Sequence, residues 1–463
     1  MRVLVLFLAT ISAFGADAQT QAAMAHISAD SLRGNLSFLS SDLLEGRATP
    51  SPGLDIAAEF IAAQFRRAGL EPAGDNGYFQ TATLAERVQD SKNFEMSASA
   101  GSNTIRIDPQ QTSILADKPV DLDDVPVIVA GSAHLTPEQV AGKIVIATNF
   151  RARAGIPQGA ALVLFNTASL RPAVWDPEAS GRGFAINTIS SPELLTFFDK
   201  FPGARMTLHA GPAIERRVKV HNVAAILRGS DPALRNTYVM LTAHYDHLGM
   251  RASGDDRIYN GANDDGSGTV SVIEIASALA ASNPRPARSV LFVAFFGEEI
   301  GLTGSRYYAR HPLVPLENTI ADLNLEQVGR TDASNGPQID DASVTGFDFS
   351  GLPRILREAG RDAGIKIYKD PQASDPYFAR SDNQALADAG IPAHTLCVAF
   401  DYPDYHGVAD EWQKIDYANM AKVDRAVALG ILRLASAEPP PKWNVGDPAA
   451  AKYVEAARRL HGD

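Results

Sequence analysis

The chain has 463 residues, of which 45% are hydrophobic and 21% are charged, a composition typical of a soluble globular protein. Its formal net charge is -12, which argues against a general nucleic-acid-binding protein, because phosphate binding requires a basic surface. This length allows two or three domains with sizeable cores.

The N-terminal residues 1–18 have the pattern of a secretory signal. Arg2 is followed by an apolar stretch at residues 3–14 and by the small-residue pattern Ala-Asp-Ala at 16–18. The apolar stretch is too short for a membrane anchor, and no later stretch is long and apolar enough. We therefore expect an exported protein, periplasmic or secreted by a bacterium. The single cysteine, Cys397, forbids an intrachain disulfide, and its apolar neighbours predict a core position.

Residues 19–114 are predicted to be the first part of the catalytic domain. Apolar residues at helical spacing predict a helix around residues 56–65, and Gly69 is a probable stop signal for it. The preceding segment, residues 40–53, is polar and rich in Pro and Gly. It has two interpretations, a cover over a cleft or an ordinary connection between helices.

Residues 115–211 have a different character, with short β-prone runs, frequent turns and no cluster of acids or histidines. This pattern predicts a separate, small β-rich domain. The run GKIVIATNF at residues 142–150 and the run ALVLFN at 161–166 resemble the protease-associated domain. That resemblance implies an inserted domain without catalytic residues.

Residues 212–436 alternate between apolar strand-like runs and helical runs. Such alternation predicts an α/β fold, with a mixed, mostly parallel sheet flanked by helices. The run 417–435 is apolar at helical spacing and should pack on that sheet. Residues 437–463 are predicted to be a C-terminal tail, with a helix at 449–460.

Acids and histidines recur where the strand-like runs of this domain end. In open α/β sheets, ligands bind at the carboxyl ends of the strands. The five groups are His244 with Asp246, the segment 260–268 with Asp264 and Asp265, the pair Glu298 and Glu299, Glu326, and His406. The order and placement of these groups favour a metal site over unrelated surface charges.

For several of these groups the sequence offers a metal-binding interpretation, and for some of them a structural one as well. His244 and Asp246 are two apart on an extended chain, so they share a face, and Asp246 could orient a metal-bound His244. Asp264 or Asp265 could bridge two cations, but a segment of this kind also makes Asx turns that cap helices. Glu326 interrupts an apolar run, where a carboxylate is costly unless it is paired or coordinated.

The chemistry of the donor set predicts the metal. Two histidines with several carboxylates suit zinc. Three or more carboxylates around one site favour two cations over one, because the acids would otherwise repel each other.

The order of the motifs resembles that of the two-zinc exopeptidase family, which includes bacterial leucine-type aminopeptidases and glutamate carboxypeptidase. The motifs are H-x-D, G-A-x-D-x-x-S-G, G-E-E-x-G-L-x-G-S, an acid in N-L-x-x-V-G, and Y-H, within residues 216–436. The resemblance implies the zinc-exopeptidase fold and two zinc ions per chain. It also implies peptide hydrolysis by a water molecule that both metals activate.

The resemblance assigns roles to eight residues. It implies that His244 and Glu326 hold one zinc, that Glu299 and His406 hold the other, and that Asp264 bridges them. It further implies that Glu298 is the general base, that Asp246 orients His244, and that Tyr405 stabilises the oxyanion. Two positions depart from the family. Glu326 stands where Asp is usual; the longer side chain can still ligate, with a shift in metal position or preference. Ser381-Asp382-Asn383 stands where Ser-Asp-His is frequent, and because this segment supplies none of the five ligands, activity should survive the change to Asn383.

We expect an aminopeptidase that acts on peptides, because no distinctive cluster of arginines is present to select a C-terminal carboxylate. The alternatives are a carboxypeptidase of the same family, a glutaminyl-cyclase-like acyltransferase with one zinc, and an inactive receptor-like binding protein. The presence of ligands for two metals argues against the last two.

Overall fold

The computed structural model describes residues 24–131, 134–167, 170, 172–179, 186–283 and 285–462. The predicted signal segment, residues 1–18, lies outside the described residues. The described residues divide into two compact units: the first comprises those within 1–82, 220–249 and 258–463, and the second those within 83–219 and 250–257. The second unit thus begins before the boundary expected near residue 115. Its resemblance to the protease-associated domain stays a prediction.

Strands and helices are numbered here in chain order over the described residues. The strands are β1 (Glu71–Pro72), β2 (Phe79–Val88), β3 (Phe94–Ala100), β4 (Asn103–Arg106), β5 (Thr112–Ser113), β6 (Val120–Ala130), β7 (Ile144–Ala147), β8 (Leu162–Asn166), β9 (Ala173–Trp175), β10 (Thr188–Ile189), β11 (Arg205–Ala210), β12 (Ile214–Leu227), β13 (Tyr238–His244), β14 (Gly249–Met250), β15 (Ile258–Tyr259), β16 (Ser289–Phe295), β17 (Thr319–Glu326), β18 (Asp341–Val344), β19 (Lys366–Tyr368) and β20 (Ala393–Cys397). The α-helices are α1 (Ala29–Leu39), α2 (Pro52–Arg67), α3 (Pro137–Val140), α4 (Phe150–Ala154), α5 (Pro192–Lys200), α6 (Gly268–Ala281), α7 (Thr303–Arg310), α8 (Leu352–Ala363), α9 (Asn383–Asp388), α10 (Tyr417–Ala435) and α11 (Ala451–His461).

The first unit is built on a mixed sheet in the order β19-β18-β20-β17-β13-β16-β12. The central strands β20, β17, β13 and β16 are parallel, whereas β12 and β18 pair antiparallel to their neighbours β16 and β20. Every residue of β13 and β16 is buried, as expected for parallel strands that are covered on both faces. The predicted α/β fold class is therefore confirmed.

The helices of this unit begin and end where local sequence signals place them. Helix α2 begins at Pro52, and the side chain of the preceding Ser51 accepts a hydrogen bond from the N–H of Leu54. Helix α10 occupies the predicted span Tyr417–Ala435. Cys397 is buried at the end of β20, in agreement with the predicted core position.

The second unit has an eight-stranded sheet in the order β4-β3-β11-β6-β7-β8-β10-β5. Strands β6, β7, β8 and β10 are parallel, whereas β5, β11, β3 and β4 pair antiparallel to their neighbours. Apolar side chains of β7 and β8, among them Ile144, Ile146 and Leu164, form its core with helix α5. Among the described residues of both units, every helix is too short or too polar to cross a membrane.

A buried acid in helix α10 makes stability depend on pH. Asp424 is fully buried, and this burial raises its pKa to about 8. An acid with a raised folded-state pKa binds more protons in the folded state than in the unfolded state between about pH 4 and pH 8. Its contribution to the free energy of unfolding therefore falls as pH rises through that window, by at most about 1.4 kcal/mol per pH unit.

We predict that Asp424→Asn removes this loss, because a neutral amide has no charged form to desolvate. Urea unfolding of both proteins at pH 5 and pH 8 measures the effect. The variant should gain stability relative to the wild type at the higher pH. A difference between the two proteins that stays constant across this range would contradict the prediction.

Candidate metal centre

The parallel strands bring the ends of the acidic motifs to one edge of the sheet. His244 is the last residue of β13 and Glu326 is the last residue of β17, the strand beside it. Glu298 and Glu299 follow β16, which pairs with β13 on its other side. The carboxyl ends of parallel strands lie at the same edge of a sheet, so these side chains converge.

His244 faces three carboxylates with one ring nitrogen. Its Nε2 atom lies 3.4 Å from Oδ1 of Asp264, 3.6 Å from Oε1 of Glu326 and 4.0 Å from Oε2 of Glu298. Its other nitrogen, Nδ1, lies 3.1 Å from the carbonyl oxygen of Asp246. A carbonyl oxygen can only accept, so Nδ1 carries the proton and Nε2 is left free to bind a cation.

His406 faces the same aspartate from the opposite direction. Its Nε2 atom lies 3.1 Å from Oδ2 of Asp264 and 3.4 Å from Oε1 of Glu299. The two oxygens of Asp264 therefore point at different imidazoles, with His244 on one side and His406 on the other. This is the geometry that a carboxylate shared by two cations requires.

Asp246 organises the backbone around the site. One of its carboxylate oxygens accepts a hydrogen bond from the N–H of Glu298 at 3.1 Å, and the other accepts from the hydroxyl of Thr49 at 3.1 Å. The oxygen that accepts from Glu298, Oδ1, also lies 3.5 Å from Nδ1 of His244. Asp246 thus links the end of β13 to the start of the Glu298 loop.

Tyr405 stacks on the ring of His406, with 4.1 Å between ring centroids. It lines an open cleft beside the acids, together with Tyr377, Arg380 and Phe400. Its position beside the carboxylates places a phenol at the wall where a substrate would enter.

The Ser381-Asp382-Asn383 segment makes hydrogen bonds that hold Glu326 and its surroundings in place. The hydroxyl of Ser381 donates to Oε1 of Glu326 at 2.5 Å and accepts from the amide of Asn324 at 2.7 Å. Asp382 accepts from the hydroxyl of Ser305. Asn383 donates to the carbonyl of Phe378 at 3.0 Å, so its amide is held within the fold.

Sequence reasoning missed Arg47, which lies in the polar segment before α2. Its guanidinium is fully buried and donates to four backbone carbonyls, those of Leu39, Tyr245, Asn260 and Gly261, at 2.7–2.9 Å. Two of these carbonyls precede Asp264 and one precedes Asp246. Through Arg47 the segment is thus a structural clamp on the site. A lone Arg in a Pro- and Gly-rich loop carries no signal of burial.

Asp410 and His247 were also missed. The carboxylate of Asp410 accepts the backbone N–H groups of Asn263 and Asp264 at 3.0–3.1 Å, which holds the backbone at Asp264 in place. His247 is buried, and its Nδ1 atom lies 2.9 Å from Oε1 of Glu299. His247 closes the sequence His-Tyr-Asp-His at residues 244–247, but its distance of three residues from His244 gave no reason to expect it beside Glu299.

The ionisable groups show how strongly the acids are crowded. Burial raises the pKa of Glu326 to about 7. Burial likewise raises the pKa of Glu298 well above its usual range, and the carboxylates of Glu326 and Glu299 add to the shift. For His406, burial lowers the pKa, but hydrogen bonds with Asp264 and Glu299 outweigh this effect and raise the value to about 10. The site therefore favours extra positive charge.

Within the described part of the chain, several candidate ligand atoms have no hydrogen-bond partner, as expected of atoms that bind a metal. Among the described residues, Nε2 of His244, Oδ2 of Asp264 and Oε1 of Glu299 are buried and form no hydrogen bond of good geometry. Buried polar atoms without partners are costly, and all three are donors that zinc prefers. The donor atoms of His247, Asp264 and Glu299 lie within 4.8 Å of one another, a spacing compatible with one ion.

Comparison with known proteins identifies the class. Residues 222–431 match the model of peptidase family M28. The fold and the site geometry of this segment are consistent with a zinc metallopeptidase domain of that family.

Curated relatives agree with this match, and a solved structure shares the fold. The chain is 34% identical to a probable zinc metalloprotease of Pyricularia oryzae over 265 residues, which are 48% of this chain and 51% of that protein. It is 27% identical to a probable leucine aminopeptidase 2 of Arthroderma benhamiae, over 46% of this chain and 44% of that protein. The chain thus spans about half the length of these curated relatives. The structure of BSAP, a zinc aminopeptidase from Bacillus subtilis, matches its fold with a TM-score of 0.62 at 20% identity, over 92% of this chain and 97% of the other.

The role of Arg47 can be tested by its removal. We predict that Arg47→Ala lowers the free energy of unfolding by about 3–5 kcal/mol, because four buried carbonyls lose their donor. Urea unfolding measures the change. The control is Arg459→Ala, which removes an exposed arginine paired with Glu455 and should leave the unfolding midpoint unchanged. Equal stability of the two variants would show that Arg47 is not the clamp.

Proposed function

We propose that this protein is an exported zinc-dependent aminopeptidase that removes N-terminal residues from peptides. The observation that carries the proposal is Asp264, whose two oxygens face His244 and His406 from between them. The leucine aminopeptidase and zinc aminopeptidase named above support the choice of reaction. Export rests on the sequence of residues 1–18.

Two zinc ions suit the arrangement of donors. His244 and Glu326 would hold one ion, Glu299 and His406 would hold the other, and Asp264 would contact both. When bound, the zinc ions would supply the positive charge that activates water and polarises a peptide carbonyl. Glu326 reaches this position because Ser381 donates to its carboxylate, so the longer side chain has a fixed orientation.

Glu298 is the proposed general base. Its Oε2 atom lies 4.0 Å from Nε2 of His244, and Asp246 holds its backbone N–H. A carboxylate there can accept the proton of the attacking water and pass it to the leaving amine. Tyr405, on the cleft wall, can donate a hydrogen bond to the oxygen on which negative charge develops.

The cleft also fits a peptide with a free amino group. Its acidic residues, Glu298, Glu299 and Glu326, favour a cationic amine close to the reacting bond. Aromatic side chains of Tyr377 and Phe400 provide apolar surface for a substrate side chain.

One observation favours the carboxypeptidase alternative. Arg380 is the one arginine or lysine among the residues that line this cleft in the described part of the chain, and it stacks over Tyr377 at 4.7 Å. Such a cation could bind a substrate carboxylate. Assays on metal-loaded protein with aminoacyl amides and with N-acetylated dipeptides separate the two reactions. Turnover of the amides alone supports the aminopeptidase, whereas turnover of the acetylated peptides alone refutes it.

The first prediction from this mechanism concerns the base. Glu298→Gln should keep both zinc ions and lower kcat by a factor of about 10²–10⁴, because an amide cannot accept the proton. Steady-state kinetics and metal analysis measure the two effects. Glu317→Gln, at an exposed position outside the cleft, is the control and should keep full activity. Wild-type turnover in the Glu298 variant would remove it from the mechanism.

The second prediction concerns Glu326. Glu326→Ala should leave about one zinc per chain and abolish most activity, because a ligand is lost and Ser381 loses its acceptor. Glu326→Asp restores the residue usual in the family and should keep two zinc ions with altered affinity. Metal analysis after dialysis provides the measurement. Two retained zinc ions and unchanged kinetics in the Ala variant would exclude Glu326 from the centre.

A further inference from the structure

His247 is a buried histidine beside the proposed centre that the mechanism above does not use. It follows β13 by three residues, and its backbone N–H donates to the carbonyl of Arg47 at 3.2 Å. Its ring packs against Gly261, where an added Cβ would lie 2.4 Å from Cγ of His247. Gly261 has a φ of +54°, so both its conformation and its lack of a side chain are needed there. The backbone therefore fixes the position of the ring.

The ring nitrogens of His247 have an unusual environment for a buried histidine. Nδ1 lies 2.9 Å from Oε1 of Glu299, yet neither ring nitrogen makes a hydrogen bond of good geometry with another described residue. By contrast, the buried His394 has both nitrogens paired, one with the hydroxyl of Ser350 and the other with the carbonyl of Thr345. A fully buried imidazole is costly without partners. Nδ1 of His247 thus faces the candidate metal centre without a hydrogen-bond partner among the described residues.

Distances between the donor atoms suit coordination of one ion. Zinc bonds to nitrogen and oxygen of about 2.0–2.2 Å place tetrahedral donors about 3.4 Å apart. The observed separations are 2.9 Å for His247 and Glu299, 3.4 Å for His406 and Glu299, and 3.1 Å for His406 and Asp264. The rings of His247 and His406 lie edge to face, with centroids 5.8 Å apart, and each has a nitrogen within 3.4 Å of Oε1 of Glu299.

We propose that His247 is a ligand of the zinc held by Glu299 and His406, and that this zinc is the more tightly bound of the two. The inference rests on the proposed two-zinc function and deepens it. With Asp264, this ion would have four protein donors, the number found in closed structural sites. The ion at His244 and Glu326 would have three, the number typical of catalytic sites with an open position. Glu298 lies beside this second, open site.

The proposal assigns different tasks to the two metals. The four-donor ion would anchor Asp264 and the Glu299 loop, and the three-donor ion would face the substrate and the base. A competing explanation is that His247 only orients Glu299 from outside the coordination sphere. Loss of an orienting residue of that kind typically lowers metal affinity 10–100-fold. Direct ligation predicts a larger loss and a spectroscopic signature of its own.

The test uses the full chain loaded with cobalt(II), with isotope-labelled histidine, and counts the imidazole signals that the paramagnetic ion shifts in NMR spectra. Three shifted imidazoles are expected, from His244, His247 and His406. Stepwise removal of metal with a chelator should first eliminate the signals of His244 and leave the other two. His247→Gln should lose one signal and weaken the tighter cobalt more than 100-fold.

The matched control is His394→Gln, which alters a buried histidine outside the centre and should keep all three shifted imidazoles. Circular dichroism of each metal-free variant checks that the fold is retained. A wild-type protein that binds two cobalt ions but shows only two shifted imidazoles would overturn the assignment of His247 and leave the proposed function standing. A wild-type protein that binds no cobalt would overturn the proposed function itself.

Discussion

The repulsion between buried carboxylates is the constraint on which this site depends. Asp264, Glu298, Glu299 and Glu326 lie at one edge of the sheet, close to the same two imidazoles. Four carboxylates gathered around the same two imidazoles cannot all remain ionised in a buried environment without compensating positive charge. Protons supply that charge in part, as the raised pKa values of Glu298 and Glu326 indicate. Divalent cations would supply that positive charge more completely.

The backbone that carries these acids is held by groups outside the centre. The guanidinium of Arg47 gathers carbonyls from three segments, and Asp410 gathers the N–H groups of Asn263 and Asp264. Gly268 lets the start of helix α6 approach closely, since an added Cβ would lie 2.4 Å from the Asp265 carboxylate. Arg47 as a hydrogen-bond donor and Asp410 as an acceptor thus both hold the backbone of the loop that carries Asp264. Precision at the centre comes from these surroundings as much as from the donors themselves.

The two halves of the centre differ in their support. Glu326 is held by Ser381, which in turn is bonded to Asn324 on the same strand, so that half belongs to the rigid sheet. His406 lies in a loop with a φ of 53° and stacks on Tyr405, so that half borders the cleft. The proposed fourth ligand, His247, would add a contact from the segment that follows β13.

The sequence alone determined the fold class and identified most of the candidate metal ligands, because both leave local signals. Strands such as β13 and β17 are apolar runs that end in His244 and Glu326, and parallel strands must bring such ends together. Only the tertiary structure revealed Arg47 and His247. Arg47 lies about two hundred residues from the carbonyls of Tyr245 and Asn260, and hydrogen bonds to backbone atoms leave no pattern in side-chain types. His247 was visible in the motif, but the bend after β13 that turns its ring towards Glu299 depends on packing against Gly261, which no local spacing encodes.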